Sequence, residues 1–185
     1  MNNLRGNKHT HYLGTNFRSR LEARWAVVFE QLGIRWSYEH EWLDVGDNAE
    51  YPYWYNTEEW VPSIGYLPDF LVHIGRIDVW WEVKGRRVNA DERIKAERLS
   101  ALTGIPVIIA QGAIPWKCKF SVEPTADYSL EACGFLDDCP MLTSQWLVDE
   151  GLATGKYKLD QDPTHSFTPA LEAAYRAARS ASFDW

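Results

Sequence analysis

Asp69, Glu82 and Lys84 are the residues whose types and spacing could do chemistry. They lie in Y-L-P-D-F-L-V-H-I-G-R-I-D-V-W-W-E-V-K-G, Tyr66 to Gly85, where two short apolar runs, Leu67 to Ile74 and Ile77 to Val83, are joined at Gly75-Arg76. Two such runs around a tight connection predict a β-hairpin. Side chains alternate across a strand, so Glu82 and Lys84 share one side while Trp81 and Val83 take the other, and Asp69 can lie beside the first pair. Asp78 is the remaining carboxylate of the two runs. Two carboxylates and an ammonium on one buried patch of sheet are costly without a counterion. A hard divalent cation resolves that cost, because Mg2+ takes one or two protein carboxylates together with waters and phosphate oxygens. The alternative is a structural Glu82–Lys84 pair on a surface edge strand, against which Trp80, Trp81 and Val83 make the strand look buried.

Pro68-Asp69 followed by Glu82-Val83-Lys84 spells P-D-x(n)-E-x-K, and this pattern resembles the PD-(D/E)XK nuclease superfamily, in particular its resolvase-like, phage-type members. The resemblance covers roughly Phe17 to Gly112. It implies an α/β fold of restriction-endonuclease-like kind: an α-β-β-β-α-β core with a mixed central sheet flanked by helices. It also implies Mg2+-dependent or Mn2+-dependent hydrolysis of a DNA phosphodiester to leave 5′-phosphate ends, with branched or nicked DNA among the candidate substrates, and the homodimer common among resolvase-like members. Asp69, Glu82 and the backbone carbonyl of Val83 would hold the ion, with Glu22 joining directly or through water. Lys84 would orient the attacking water or steady the pentavalent phosphate. A DNA-binding or assembly protein that keeps the fold without catalysis is the alternative.

The elements that must position these groups can be read in turn. Thr15-Asn16 predict a helix start, and Gly33 its stop at Leu32. Phe17, Leu21, Trp25, Val28, Phe29 and Leu32 follow helical spacing and form its buried stripe. Glu22 borders that stripe, and F-R-S-R-L-E-A-R-W-A looks like the superfamily's first helix; the other reading of Glu22 is an ion pair with Arg18 one turn earlier. Ile34 to Val45 alternates as a half-buried strand should. Residues 46–65 interrupt the core with Tyr51, Tyr53, Trp54, Tyr55 and Trp60, either a stacking platform for bases or a self-packed loop over a sheet edge.

Beyond Gly85, Asn89 with Glu92 three residues later is a capping-box start, and Gly104 then Pro106 mark the helix end. Ile94, Ala101 and Leu102 are its expected inward face. Arg86, Arg87, Arg93, Lys95 and Arg98, with Arg18, are the candidate DNA-phosphate contacts, since phosphate binding is driven by clustered cations. Lys95 is the candidate for a direct role at the phosphate, by the resemblance; an i,i+4 pair with Asp91 is its alternative. Pro106 to Ala110 is an apolar fourth strand.

A chain of 185 residues that is 45% hydrophobic suits one domain with additions. We divide it into a mobile basic arm over residues 1–14, the core over 15–112, and an extension over 113–185 packed on it, loop-rich until a final helix from Thr168-Pro169. The net charge of -7 excludes a protein that coats nucleic acid by bulk electrostatics, so any DNA contact must be local. Three irregularly spaced cysteines, Cys118, Cys133 and Cys139, make no disulfide framework, and with His165 they lack the C-x-x-C pair of a zinc site. No apolar segment approaches a membrane span or a signal peptide, so a cytoplasmic protein with no membrane partner is expected.

Overall fold

Strand β7, Ile77–Lys84, is the axis of the molecule, and the types of its residues explain the layers on either side. Odd positions Val79, Trp81 and Val83 belong to one apolar cluster and Trp80 to a second on the opposite face, as a period of two requires. Both faces of this strand are therefore covered, which is why it reads as a nearly continuous apolar run.

The computed structural model describes residues 10–46, 62–74, 77–114, 128–133 and 169–183. The Gly75-Arg76 connection, the aromatic residues from Tyr51 to Trp60, Arg5, Lys8, Cys118, Cys139 and His165 lie outside the described residues. Among the described residues the architecture is mixed α/β, with three helices and an open mixed sheet. The sheet has five strands: β3 (Arg35–Tyr38), β6 (Phe70–Ile74), β7, β8 (Val107–Gly112) and β9 (Tyr128–Cys133), in that spatial order. The β7–β8 pair is parallel and the others are antiparallel. A parallel pair needs a crossover, and helix α2 (Ala90–Thr103) supplies it.

Helix α1 (Arg20–Gln31) covers one face of the sheet through Trp25, Val28 and Phe29, which join Phe70, Val72 and Trp81 in the larger cluster. Trp25 and Phe29 meet Trp81 at ring-centroid distances of 4.8 and 5.3 Å. Each fully buried side chain of this size is worth about 1.5–3 kcal/mol, and the aromatic geometry adds about 1 kcal/mol per pair. The last helix, α3 (Pro169–Ser180), docks on α1 by Ala174, Tyr175 and Ala178. Helix α2 closes the opposite face through Ala96 and Leu99, packed with Leu71, Trp80, Val107 and Ile109. Its start and stop follow the sequence: Asn89 and Glu92 form a reciprocal capping box, and Gly104 ends the helix in the left-handed region at φ 67°.

Several expectations are corrected. The first helix starts later than Thr15-Asn16: its cap is Ser19, whose hydroxyl accepts from the Glu22 amide. Within the expected basic arm, Thr10–Tyr12 (β1) pairs with Thr15–Phe17 (β2) across Leu13 and Gly14, both at positive φ. That is the backbone of a two-residue hairpin turn. The strand expected over Ile34 to Val45 is broken at Glu39, φ 46°, and resumes as Leu43–Asp44 (β4), which pairs with Gly65–Tyr66 (β5). On α2, Ile94 is exposed rather than inward. Among the described residues no helix is long and apolar enough to cross a membrane.

Candidate functional site

The register of the hairpin brings the two carboxylates together. Phe70 is paired with Trp81, so one step further Asp69 faces Glu82. Both are buried, at 3% and 4% exposure, and the Asp69 amide donates to Glu82 Oε2 at 3.4 Å. Asp69 Oδ2 accepts the Val83 amide at 2.7 Å, which pins the carboxylate to the central strand. Lys84 donates to Glu82 Oε1 at 2.5 Å and lies 3.8 Å from Glu92 on the first turn of α2. The Glu82–Lys84 pair is therefore real, but it sits on a central strand between β6 and β8, not at an edge.

The fourth oxygen, Asp69 Oδ1, is held at 2.6 Å by an Arg18 Nη. Arg18 Nε pairs at 2.9 Å with Glu39, the residue whose left-handed backbone turns the chain out of β3. The Glu39 amide in turn donates to the Asp69 carbonyl at 2.9 Å. Burial works against the Arg18 cation, but its hydrogen bond with Tyr38 and the charges of Asp69, Tyr38 and Glu39 outweigh that and favour the charged form.

Burial pushes the Asp69 carboxyl up, and the neighbouring Glu82 and Glu22 charges push it further, to about 8; the Val83 amide and Arg18 pull it down without prevailing. For Lys84, burial disfavours the ammonium, yet Glu82, Asp69 and Glu92 more than offset it and the pKa is raised. The group is an ammonium, not a free base.

Glu22 is close enough to raise Asp69, but its oxygens are committed elsewhere. Oε2 accepts the Tyr38 hydroxyl at 2.5 Å and the Arg18 amide at 3.1 Å, and Oε1 accepts the Ser19 hydroxyl at 2.7 Å. Burial, then this bond to Glu22, raises the Tyr38 phenol. The expected Glu22 ligand is thus drawn into the network that caps α1, and the expected alternative of an Arg18–Glu22 side-chain pair is replaced by Arg18 to Asp69 and Glu39. Among the described residues no group of three or more His, Cys, Asp and Glu side chains could hold a metal ion. Asp69 and Glu82, all-oxygen donors whose charges repel one another in a buried setting, do fit the one or two carboxylates that a hard ion takes.

The basic residues divide. Arg86 is exposed but forked onto Glu92 at 2.9 and 2.7 Å; burial works against the Glu92 carboxylate, but the Asn89 amide and the Arg86 and Lys84 cations outweigh it and leave the pKa lowered. Arg87 is exposed, while Arg93 and Lys95 are half-buried on α2; Lys95 lies one turn beyond Glu92 on the same flank. The expected Lys95–Asp91 pair is not among the ion pairs of the described residues. Arg98, by contrast, is 7% exposed and reaches the Val45 carbonyl at 3.5 Å, so its guanidinium is engaged within the fold.

Sequence reasoning missed Tyr38, Glu39 and Gln111. Gln111, paired with Lys84 across β7 and β8, accepts the Val88 amide at 2.7 Å and fixes the link from β7 into α2. Ser19 was available as S-x-x-E with Glu22; the Arg18–Glu39–Asp69 contacts join distant segments and have no local signal. Comparison of the chain with protein-family models, with curated proteins and with solved structures returned no match in any of the three.

Proposed function

We propose that the protein is a metal-dependent DNA endonuclease of the PD-(D/E)XK kind, and one observation carries the reading: two buried carboxylates, Asp69 and Glu82, face each other at the end of a central strand, with the Lys84 ammonium on the second. The order α1, β3, β6, β7, α2, β8, with β8 parallel to β7, supports the α-β-β-β-α-β core that the sequence resemblance implies. Asp69, Glu82 and the Val83 carbonyl would hold Mg2+ or Mn2+, which when bound lowers the pKa of a water and neutralises phosphate charge.

The chain's own residues do the rest. The Val83 amide fixes one oxygen of Asp69, and Arg18 holds the other. Lys84, kept charged by its acidic neighbours, offers donors to a phosphate oxygen or to the attacking water. Glu22, bonded to Tyr38, Ser19 and the Arg18 amide, anchors the segment that carries Arg18 to the start of α1. Arg87, just beyond β7, and Lys95, on α2, are candidate contacts to the DNA backbone.

The test is cleavage of plasmid, single-stranded and branched DNA with Mg2+ or Mn2+, comparing wild type with Asp69→Asn and Lys84→Ala. Cutting by wild type that both substitutions reduce by about 100-fold or more supports the reading. A second reading, a non-catalytic DNA-binding or assembly protein, draws on the fact that each carboxylate already pairs with a cation of the chain. Wild type that shifts DNA in a gel and cuts none of the substrates decides for it.

A further inference from the structure

All four oxygens of the facing carboxylates are in use without any metal. Asp69 gives one to the Val83 amide and one to Arg18; Glu82 gives one to Lys84 and one to the Asp69 amide. The Val83 and Asp69 amides are parts of the strand framework. The two cations are side chains and can leave: Arg18 is 46% exposed and Lys84 23%. Arg18 is also tethered twice, by Nη to Asp69 and by Nε to Glu39. Release of the first contact leaves the second as a pivot. That pivot is imposed by its surroundings, since a non-glycine residue at φ 46° is uncommon and persists only where the rest of the fold holds it.

We propose that Arg18 is an exchangeable counterion of the site: a divalent ion displaces its guanidinium from Asp69, and the freed cation, still held by Glu39, turns to a phosphate oxygen of the substrate. This rests on the metal reading above and adds a coupling to it. Metal entry and phosphate binding become cooperative, because the ion must first overcome an occupied site and each ligand favours the arrangement the other needs. An ion that binds only when Arg18 is out shows an affinity reduced by the fraction of molecules in that arrangement. No covalent bond is made or broken in the exchange; one cation replaces another.

Calorimetric titration of Mn2+ alone into metal-free wild type, Arg18→Met and Arg18→Lys at pH 8.5, above the value of about 8 to which burial and the neighbouring charges raise Asp69, tests it. Asp69→Asn reports on the site itself, and near-ultraviolet circular dichroism checks folding. Arg18→Met should bind Mn2+ tighter than wild type by on the order of tenfold, with Arg18→Lys between them. Inorganic phosphate should strengthen Mn2+ binding to wild type and have no such effect on folded Arg18→Met. Equal Mn2+ affinity of wild type and Arg18→Met overturns the exchange while leaving the metal site standing. Should wild type and Arg18→Met both fail to bind Mn2+, or Asp69→Asn bind it as wild type does, the metal reading falls and the exchange with it.

Discussion

Replacing Asp69 by asparagine should stabilise the metal-free protein while abolishing its metal response. Asp69 is 3% exposed, and burial together with Glu82 and Glu22 lifts its pKa from 3.8 to about 8. Between those values the folded chain holds a proton that the unfolded chain has lost. Stability is therefore complete below about pH 4 and declines as pH rises toward 8, the sign for a group whose folded pKa is raised. Each tenfold difference in proton affinity between the folded and unfolded chain is worth about 1.4 kcal/mol, so the loss at pH 7 amounts to at most about 4 kcal/mol. Asparagine removes the titration and keeps an acceptor for the Val83 amide. It forfeits the pair with Arg18, but a half-exposed partner limits that loss to about 1 kcal/mol. The net expectation is a gain of about 1–3 kcal/mol at pH 7–8, or about 2–4 °C in Tm for each kcal/mol in a chain of this size. Urea and thermal unfolding in EDTA from pH 5 to 8.5 measure it. A wild type whose stability is flat or rising over that range, or a variant less stable than wild type at pH 8, would refute the reasoning.

The same carboxyl sets the pH dependence of metal binding. Mn2+ must displace the Asp69 proton, so its affinity should climb by about tenfold per pH unit from pH 6 to 8 and level off above, as read by calorimetry. A Cβ added to Gly46 would collide with the Pro62 carbonyl and lie 2.7 Å from the Ser63 Cα, both backbone, so Gly46→Ala should cost about 2 kcal/mol or more in urea unfolding. Gly65→Ala would first meet the Trp42 ring, a side chain that is 62% exposed, and should cost less than about 1 kcal/mol. Asn89→Ala breaks the capping box of α2 and should cost about 1 kcal/mol by the same measurement.

The hairpin and the capping box were legible because each is a local pattern with one geometric solution. Alternation placed Glu82 and Lys84 opposite Trp81 and Val83, and Asn89 with Glu92 marked the start of α2. Where the local pattern misleads, a different force wins. Thr15-Asn16 look like a helix cap, yet they lie in or beside a hairpin whose turn places Leu13, a poor residue for positive φ, before Gly14. The buried face of α2 includes Arg98 and Ser100 beside Ala96 and Leu99, so its residue types hide which way it faces. The candidate site was half visible: the two acids and the lysine follow from strand geometry, whereas the clasp of Arg18 between Asp69 and Glu39 spans 51 residues and exists only once the sheet is assembled.

Neighbouring residues of β7 serve opposite layers, and this guards the site against misalignment. A shift of one position against β6 would carry Glu82 into the aromatic packing of Trp25 and Phe29 and turn Trp81 toward α2, stranding a charge in hydrocarbon and emptying the larger cluster at a stroke. The bulk of the tryptophans thus acts as a ratchet, and the pairing frame that fills the interior is the same frame that sets the two acids side by side.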